Sequence, residues 1–240
     1  MQFSRTIGDM KRDRALLVIL MLAAAAMAGR AWLLENPQHD PFAPLSLDHP
    51  PGWATQSKLA ALRDNLPACR QVLAEGAVDF AELPPSGEGA CRREDRTRAD
   101  GNLLSPEGAQ MTCQTMLGHE LWLRHSVQPL AQEFLGSRVM RIEHLGTYNC
   151  RRIGGGDDGD WSEHATGNAI DIAAFILADG RRVSVLDDWQ GGDAAARFLH
   201  KVRDGACGSF ATVLSPDYNA AHADHLHLDQ APRMIGGVCR

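Results

Sequence analysis

Six cysteines (Cys69, Cys91, Cys113, Cys150, Cys207 and Cys239) all lie beyond the first third of the N-terminal half, and none forms a C-x-x-C pair. An even number without that spacing points to disulfides and away from a cysteine-based zinc knuckle. Disulfides persist where thiols are not kept reduced, so such a chain folds outside the cytosol. Pairing between sequence neighbours (Cys69 with Cys91, Cys113 with Cys150, Cys207 with Cys239) is the simplest of the fifteen arrangements that six cysteines allow. Each closed loop of that size would contribute ~3 kcal/mol.

The N-terminus agrees with export. Lys11, Arg12 and Arg14 precede an uncharged run from Ala15 to Gly29. A membrane span takes ~20 residues. Arg30 interrupts the run, Ala31-Trp32-Leu33-Leu34 continues it, and a long Arg side chain can snorkel. Residues 1–34 read as a signal anchor. The alternative is a cleaved signal peptide with Ala26-Met27-Ala28 at the cut. Five basic and two acidic residues give this segment +3 of a total of −6, so the remainder carries −9. A body that acidic is unsuited to phosphate backbones, and nucleic acid is excluded as a partner.

Residues 35–56, with Pro37, Pro41, Pro44, Pro50 and Pro51, read as a tether. The body then spans 57–240. A helix is predicted from Ser57 to Leu73 with a break near Pro67, and another from Ser105, with Ser105 as cap, a kink at Pro129 and a stop at Gly136. His119 and His125 on that second helix lack partners at ligand spacing and read as packing residues. Strands are predicted over Val139–Leu145 (Met140 and Ile142 on one face), Ala169–Leu177, Arg181–Leu186, Thr212–Leu214 and His225–Asp229, with a helix capped near Asp193 and ending at Gly205. The fold class is α+β: a small antiparallel sheet packed by helices, preceded by the membrane helix.

Two clusters carry chemistry. The first runs from Ser162 through His164 to Asp171. Asp171 falls inside an apolar strand, where an uncompensated carboxylate is costly and a cation would offset the cost. Gly167 lets the chain fold His164 back over it. The second is His222-Ala-Asp224-His225-Leu-His227-Leu-Asp229, in which His225, His227 and Asp229 share one strand face. If His164, Asp171 and His227 hold the ion, a fourth position stays open, as in catalytic zinc sites. His225, His222 and Asp224 then stand beside it as acid–base groups.

Ser162-x-His164-x-x-Gly167-x-Ala169-x-Asp171, followed by His225-x-His227, resembles the signature of the LAS metallopeptidases, a superfamily of lysostaphin-type enzymes, D-alanyl-D-alanine peptidases and the zinc domain of Hedgehog proteins. The stretch from about Cys69 to Arg240 resembles more specifically the bacterial extensin-like C-terminal domain family, through Gly146–Arg151, Ser162–Phe175, Val213–Tyr218 and Asn219–Asp229. The resemblance implies zinc on His164, Asp171 and His227 with His225 beside it, and peptidase chemistry on peptidoglycan stems. Arg151, or its neighbour Arg152, would meet a substrate carboxylate or carbonyl, with Ser162 also on the substrate side. Asp224 stands where such peptidases often carry Glu, one methylene longer. His222 gives the site a further histidine, as the penicillin-insensitive murein endopeptidases have.

Three functions follow as expectations. The first is a zinc-dependent peptidoglycan peptidase, periplasmic and anchored to the inner membrane, cutting a DD or LD amide at D-alanine or meso-diaminopimelate as endopeptidase or carboxypeptidase. The second is a non-catalytic zinc module of Hedgehog-like type that binds peptidoglycan or an envelope protein partner. The third is a structural zinc with His225 or His222 as fourth ligand.

Overall fold

The computed structural model describes residues 11–233 and 237–240. Among the described residues seven α-helices occur in chain order: α1 (Lys11–Glu35), α2 (Thr55–Leu62), α3 (Leu66–Glu75), α4 (Cys113–Trp122), α5 (Gln128–Leu135), α6 (Val185–Asp188) and α7 (Ala194–Ala206). Ten strands accompany them: β1 (Phe80–Leu83), β2 (Arg96–Ala99), β3 (Leu104–Ser105), β4 (Gln110–Met111), β5 (Val139–Gly146), β6 (Ala169–Leu177), β7 (Arg182–Ser184), β8 (Thr212–Leu214), β9 (Leu226–Asp229) and β10 (Val238–Cys239). The chain is α+β. The sheet is larger than the sequence suggests and not wholly antiparallel: seven strands in the order β10-β8-β9-β6-β5-β3, with β7 also on β6. The edge pairs β3–β5 and β10–β8 are parallel. A separate sheet runs β1-β2-β4.

Central strand β6 is apolar because most of its residues are buried in the core, where Phe175 meets Trp122 of α4 and Phe198 of α7 edge-on at 5.9 and 5.2 Å. Every residue of α4 is buried, which makes this helix the middle of the core. The Trp122 indole donates 2.7 Å to the carbonyl of Val202 and so leaves no orphan donor there. Helix α7 follows the sequence pattern: Asp193 caps it by accepting from the Ala196 amide, and Phe198, Leu199 and Val202 point inward.

Local signals succeeded where the cap was near and failed where pairing was distant. Pro67 lies in the first turn of α3, capped by Asn65, so the break from α2 falls just ahead of it. The helix expected from Ser105 begins instead at Cys113, capped by Thr112. Leu104 and Met111 enter the two sheets, and Gly108 at φ 77° cannot continue a helix. The kink expected at Pro129 is a π-helical turn over Leu123–Val127, after which Pro129 sits in the first turn of α5 and Gly136 ends it at φ 65°. In β5 the buried residues are Val139 and Ile142, while Met140 is exposed. A register shift between Val139 and Arg141 breaks the expected alternation. The hairpin partner of β6 stops at Ser184, whose hydroxyl caps α6.

Two of the three expected disulfides are corrected. Cys69 pairs with Cys113, Cys91 with Cys150, and Cys207 with Cys239, at Cα separations of 6.2, 5.5 and 5.8 Å. Loop-closure cost rises only ~0.6 kcal/mol per doubling of loop length, so the packing of α3 on α4 outweighs sequence proximity. The proline-rich stretch after α1 also departs from a free tether. Leu45 and Leu47 enter the core, and His125 Nε2 lies 2.9 Å from the carbonyl oxygen of Leu47. His119 is likewise a packing histidine, beside Glu120.

Candidate metal centre

Asp171 of β6 is in register with His227 of β9, so adjacent strands present the two side chains to each other. His164 arrives from a short 3-10 turn, Glu163–Thr166. Ser162 caps that turn by accepting from the His164 amide, and Gly167 ends it at φ 75°. The glycine is needed for its backbone conformation, since a Cβ there would meet only ordinary contacts from 3.6 Å outward. The turn is fixed from outside as well: Asn149 donates its amide to the His164 carbonyl, and Thr112 donates to that of Gly167.

Three side chains converge. His227 Nδ1 lies 2.9 Å from Asp171 Oδ1, His164 Nε2 lies 3.1 Å from Asp171 Oδ2, and the two ring nitrogens are 3.2 Å apart. Ligand atoms at ~2.0–2.1 Å around a tetrahedral zinc are about 3.3 Å from one another, which is close to this triangle. The donor set of two imidazoles and one carboxylate fits a divalent metal of the zinc type. Among the described residues this is the group of His, Cys, Asp and Glu able to hold an ion.

Asp229 completes the support. Its Oδ2 lies 2.9 Å from His227 Nε2, and its Oδ1 accepts the Ala231 amide at 2.9 Å. With Nε2–H donated to Asp229, the neutral tautomer turns its Nδ1 lone pair toward the centre. The sequence places Asp229 on the same strand face as His227 but assigns it no task. The i, i+2 spacing along the strand was the available signal.

The electrostatics are those of a site that wants a cation. Burial opposes ionisation of Asp171, yet hydrogen bonds from His164 and His227 outweigh it and hold the carboxyl well below its usual range. Burial also works against a charged His227, but Asp171 and Asp229 prevail and raise it to about 9. A metal ion bound here would compete with a proton for Nδ1.

The remaining residues expected near the centre divide. His225 lies just before β9, with Nε2 3.6 Å from Asp171 Oδ1 and Nδ1 2.8 Å from Asp224 Oδ1. Asp224 thus backs His225 and does not itself face the three donor atoms. His222 ends the 3-10 turn Ala220–His222, its Nδ1 2.7 Å from Asn219 Oδ1, and its ring is 5.2 Å from that of His225 and 5.9 Å from that of His227. Burial first, then the charges of His225 and His227, push His222 down to about 4. Arg151 is exposed, and its charge adds slightly to that effect. Arg152 is engaged elsewhere, with its guanidinium 4.5 Å over the Trp161 ring and an Nη1 bond to the Gly159 carbonyl. Ser162 is a buried cap, not a free hydroxyl.

No curated protein and no solved structure matches the chain. The family model described as extensin-like protein C-terminus matches residues 67–240, which contain every residue of the metal centre and of the His222–His225 group, and the chain belongs to that family.

Proposed function

We propose that this protein is a zinc-dependent peptidase of the LAS type, held in the cell envelope, that hydrolyses an amide bond in the stem peptides of peptidoglycan. The observation that carries the reading is the pairing of a three-donor centre with an oriented histidine: His225 Nε2 stands 3.6 Å from Asp171 Oδ1 and is backed by Asp224. The ligand atoms of His164, Asp171 and His227 cluster without that of His225, whereas a purely structural ion would take a fourth protein ligand.

His164, Asp171 and His227 would hold a zinc ion, which would supply Lewis acidity to the reaction. The other roles belong to the chain. Asp224 fixes the ring and tautomer of His225, so Nε2 is the atom that takes or returns a proton. His222, pushed down to about 4, is neutral near pH 7 and offers an acceptor. Arg151 offers an exposed cation for a carboxylate of the substrate. The three disulfides and the apolar α1 support a periplasmic body with a membrane anchor.

Mass spectrometry of purified muropeptides, crosslinked and monomeric, incubated with zinc-loaded protein tests the reading. New cleavage products lost on chelation are expected. Unchanged profiles with both substrates would overturn it, and muropeptide binding without turnover would assign a recognition module instead.

A further inference from the structure

Helix α1 is long and apolar enough to cross a bilayer: its Arg14–Glu35 stretch is 22 residues long and is not buried in the body. Yet its last turn is built into the fold. Trp32 stacks on His39 at 5.1 Å and meets Trp53 at 5.6 Å, and His39 meets Trp53 at 4.5 Å. The Trp53 amide donates to His39 Nδ1, and Asn36 Nδ2 donates back to the Trp32 carbonyl. Arg30, two residues before Trp32, reaches Asp40 at 3.5 Å. Lys58 Nζ donates 2.6 Å to the Pro37 carbonyl, and the chain at Gln38 runs so close to Gly52 that a Cβ there would lie 2.6 Å from a carbonyl oxygen. These contacts leave no slack between helix and body.

The same corner exposes large rings. Phe42 is 95% exposed and Trp53 80%, and Trp32 is 42% exposed at the end of the apolar helix. Rings of this size are normally covered, and amphipathic Trp in particular prefers the boundary between lipid headgroups and acyl chains. Trp53 is continuous with α1 through Trp32, and Phe42 is tied to it through Asp40, which accepts the Phe42 amide and meets Arg30, so the medium around the end of α1 covers all three rings.

We propose that Trp32, Trp53 and Phe42 form an aromatic collar seated in the headgroup region of a phospholipid bilayer, so that the folded body rides directly on the membrane in one orientation. The proposal rests on α1 being retained as a membrane anchor. It changes the reach of the metal centre. A body of this size is about 40 Å across, so a seated body works within about that distance of the lipid surface. A flexible tether would allow a wider range.

The test uses the full chain reconstituted in phosphatidylcholine–phosphatidylglycerol vesicles. Tryptophan emission is recorded with lipids carrying a quencher near the headgroup or at the bilayer centre. Headgroup-level quenching is expected to exceed central quenching. Trp53→Phe should remove about half of the headgroup-level loss, because Trp32 supplies the rest. Phe42→Ser, which leaves all tryptophans in place, should also reduce quenching of Trp53 by lifting the corner from the surface. Vesicle-bound protein whose quenching is unchanged in Trp53→Phe would overturn the collar while leaving the anchor intact. Full-length protein that does not float with vesicles would overturn the anchor reading and the collar with it.

Discussion

Asp229 and His227 lie two residues apart on β9 and share a 2.9 Å hydrogen bond through His227 Nε2, on the side of the ring away from Asp171. Asp229 sets which nitrogen of His227 is free, and that nitrogen is the one facing His164. Supporting carboxylates of this kind are worth ~10–100-fold in metal affinity. Asp229→Ala is therefore expected to weaken zinc binding by about that factor, with Asp229→Asn in between because it keeps an acceptor. Chelator competition measures it, and undiminished affinity in a folded Asp229→Ala protein would remove Asp229 from the site.

Proton competition at His227 gives a pH dependence. In the metal-free protein its pKa is raised from 6.5 to about 9, while a metal ligand must be deprotonated. Zinc affinity should therefore tighten about tenfold per pH unit below that value and level off above it. The same shift acts on stability. The folded pKa exceeds the unfolded one, so the contribution is complete below about 6.5 and disappears as pH rises through about 9. Thermal melts of metal-free protein across this window should fall, and excess zinc should cancel the fall.

Removing the oriented histidine separates chemistry from metal binding. His225→Ala is expected to keep zinc and lose activity by about 10²–10⁴-fold, the range for general acid–base groups. Asp224→Ala should lose less, because it frees the ring without removing it. His227→Ala should lose both zinc and activity. Metal analysis alongside muropeptide turnover distinguishes these outcomes, and zinc loss in His225→Ala would make His225 a ligand.

Gly118 of α4 shows packing overruling propensity. Alanine is the better helix former by ~1 kcal/mol. A Cβ at Gly118, however, would sit 2.6 Å from Gln230 Nε2 and 2.7 Å from the Ser209 carbonyl oxygen, which are themselves bonded at 2.8 Å. Overpacking against backbone costs ~1–3 kcal/mol. Gly118→Ala should therefore destabilise the protein by up to about 2 kcal/mol net in urea unfolding. An equal or higher midpoint would show that the strand end moves aside.

Strand β6 and strand β8 have the bounds that their residues imply, and α7 starts at the cap that Asp193 announces. Those features depend on periodicity and on contacts within four residues. His164, Asp171 and His227 were legible for a different reason, since an acid in an apolar strand and histidines on one strand face each need compensation. The sequence left open whether His225, His222 or Asp224 is the base. The tertiary structure turns Asp224 to His225, places Arg152 on Trp161, and uses Ser162 as a cap. It also decided the cysteine partners, the start of α4 and the seating of residues after α1. Each of these depends on which surfaces meet across the chain, as Cys91 meets Cys150 over a separation of 59 residues. Sequence spacing carries no energy for such choices, because closing a long loop costs little more than closing a short one and packing decides between them.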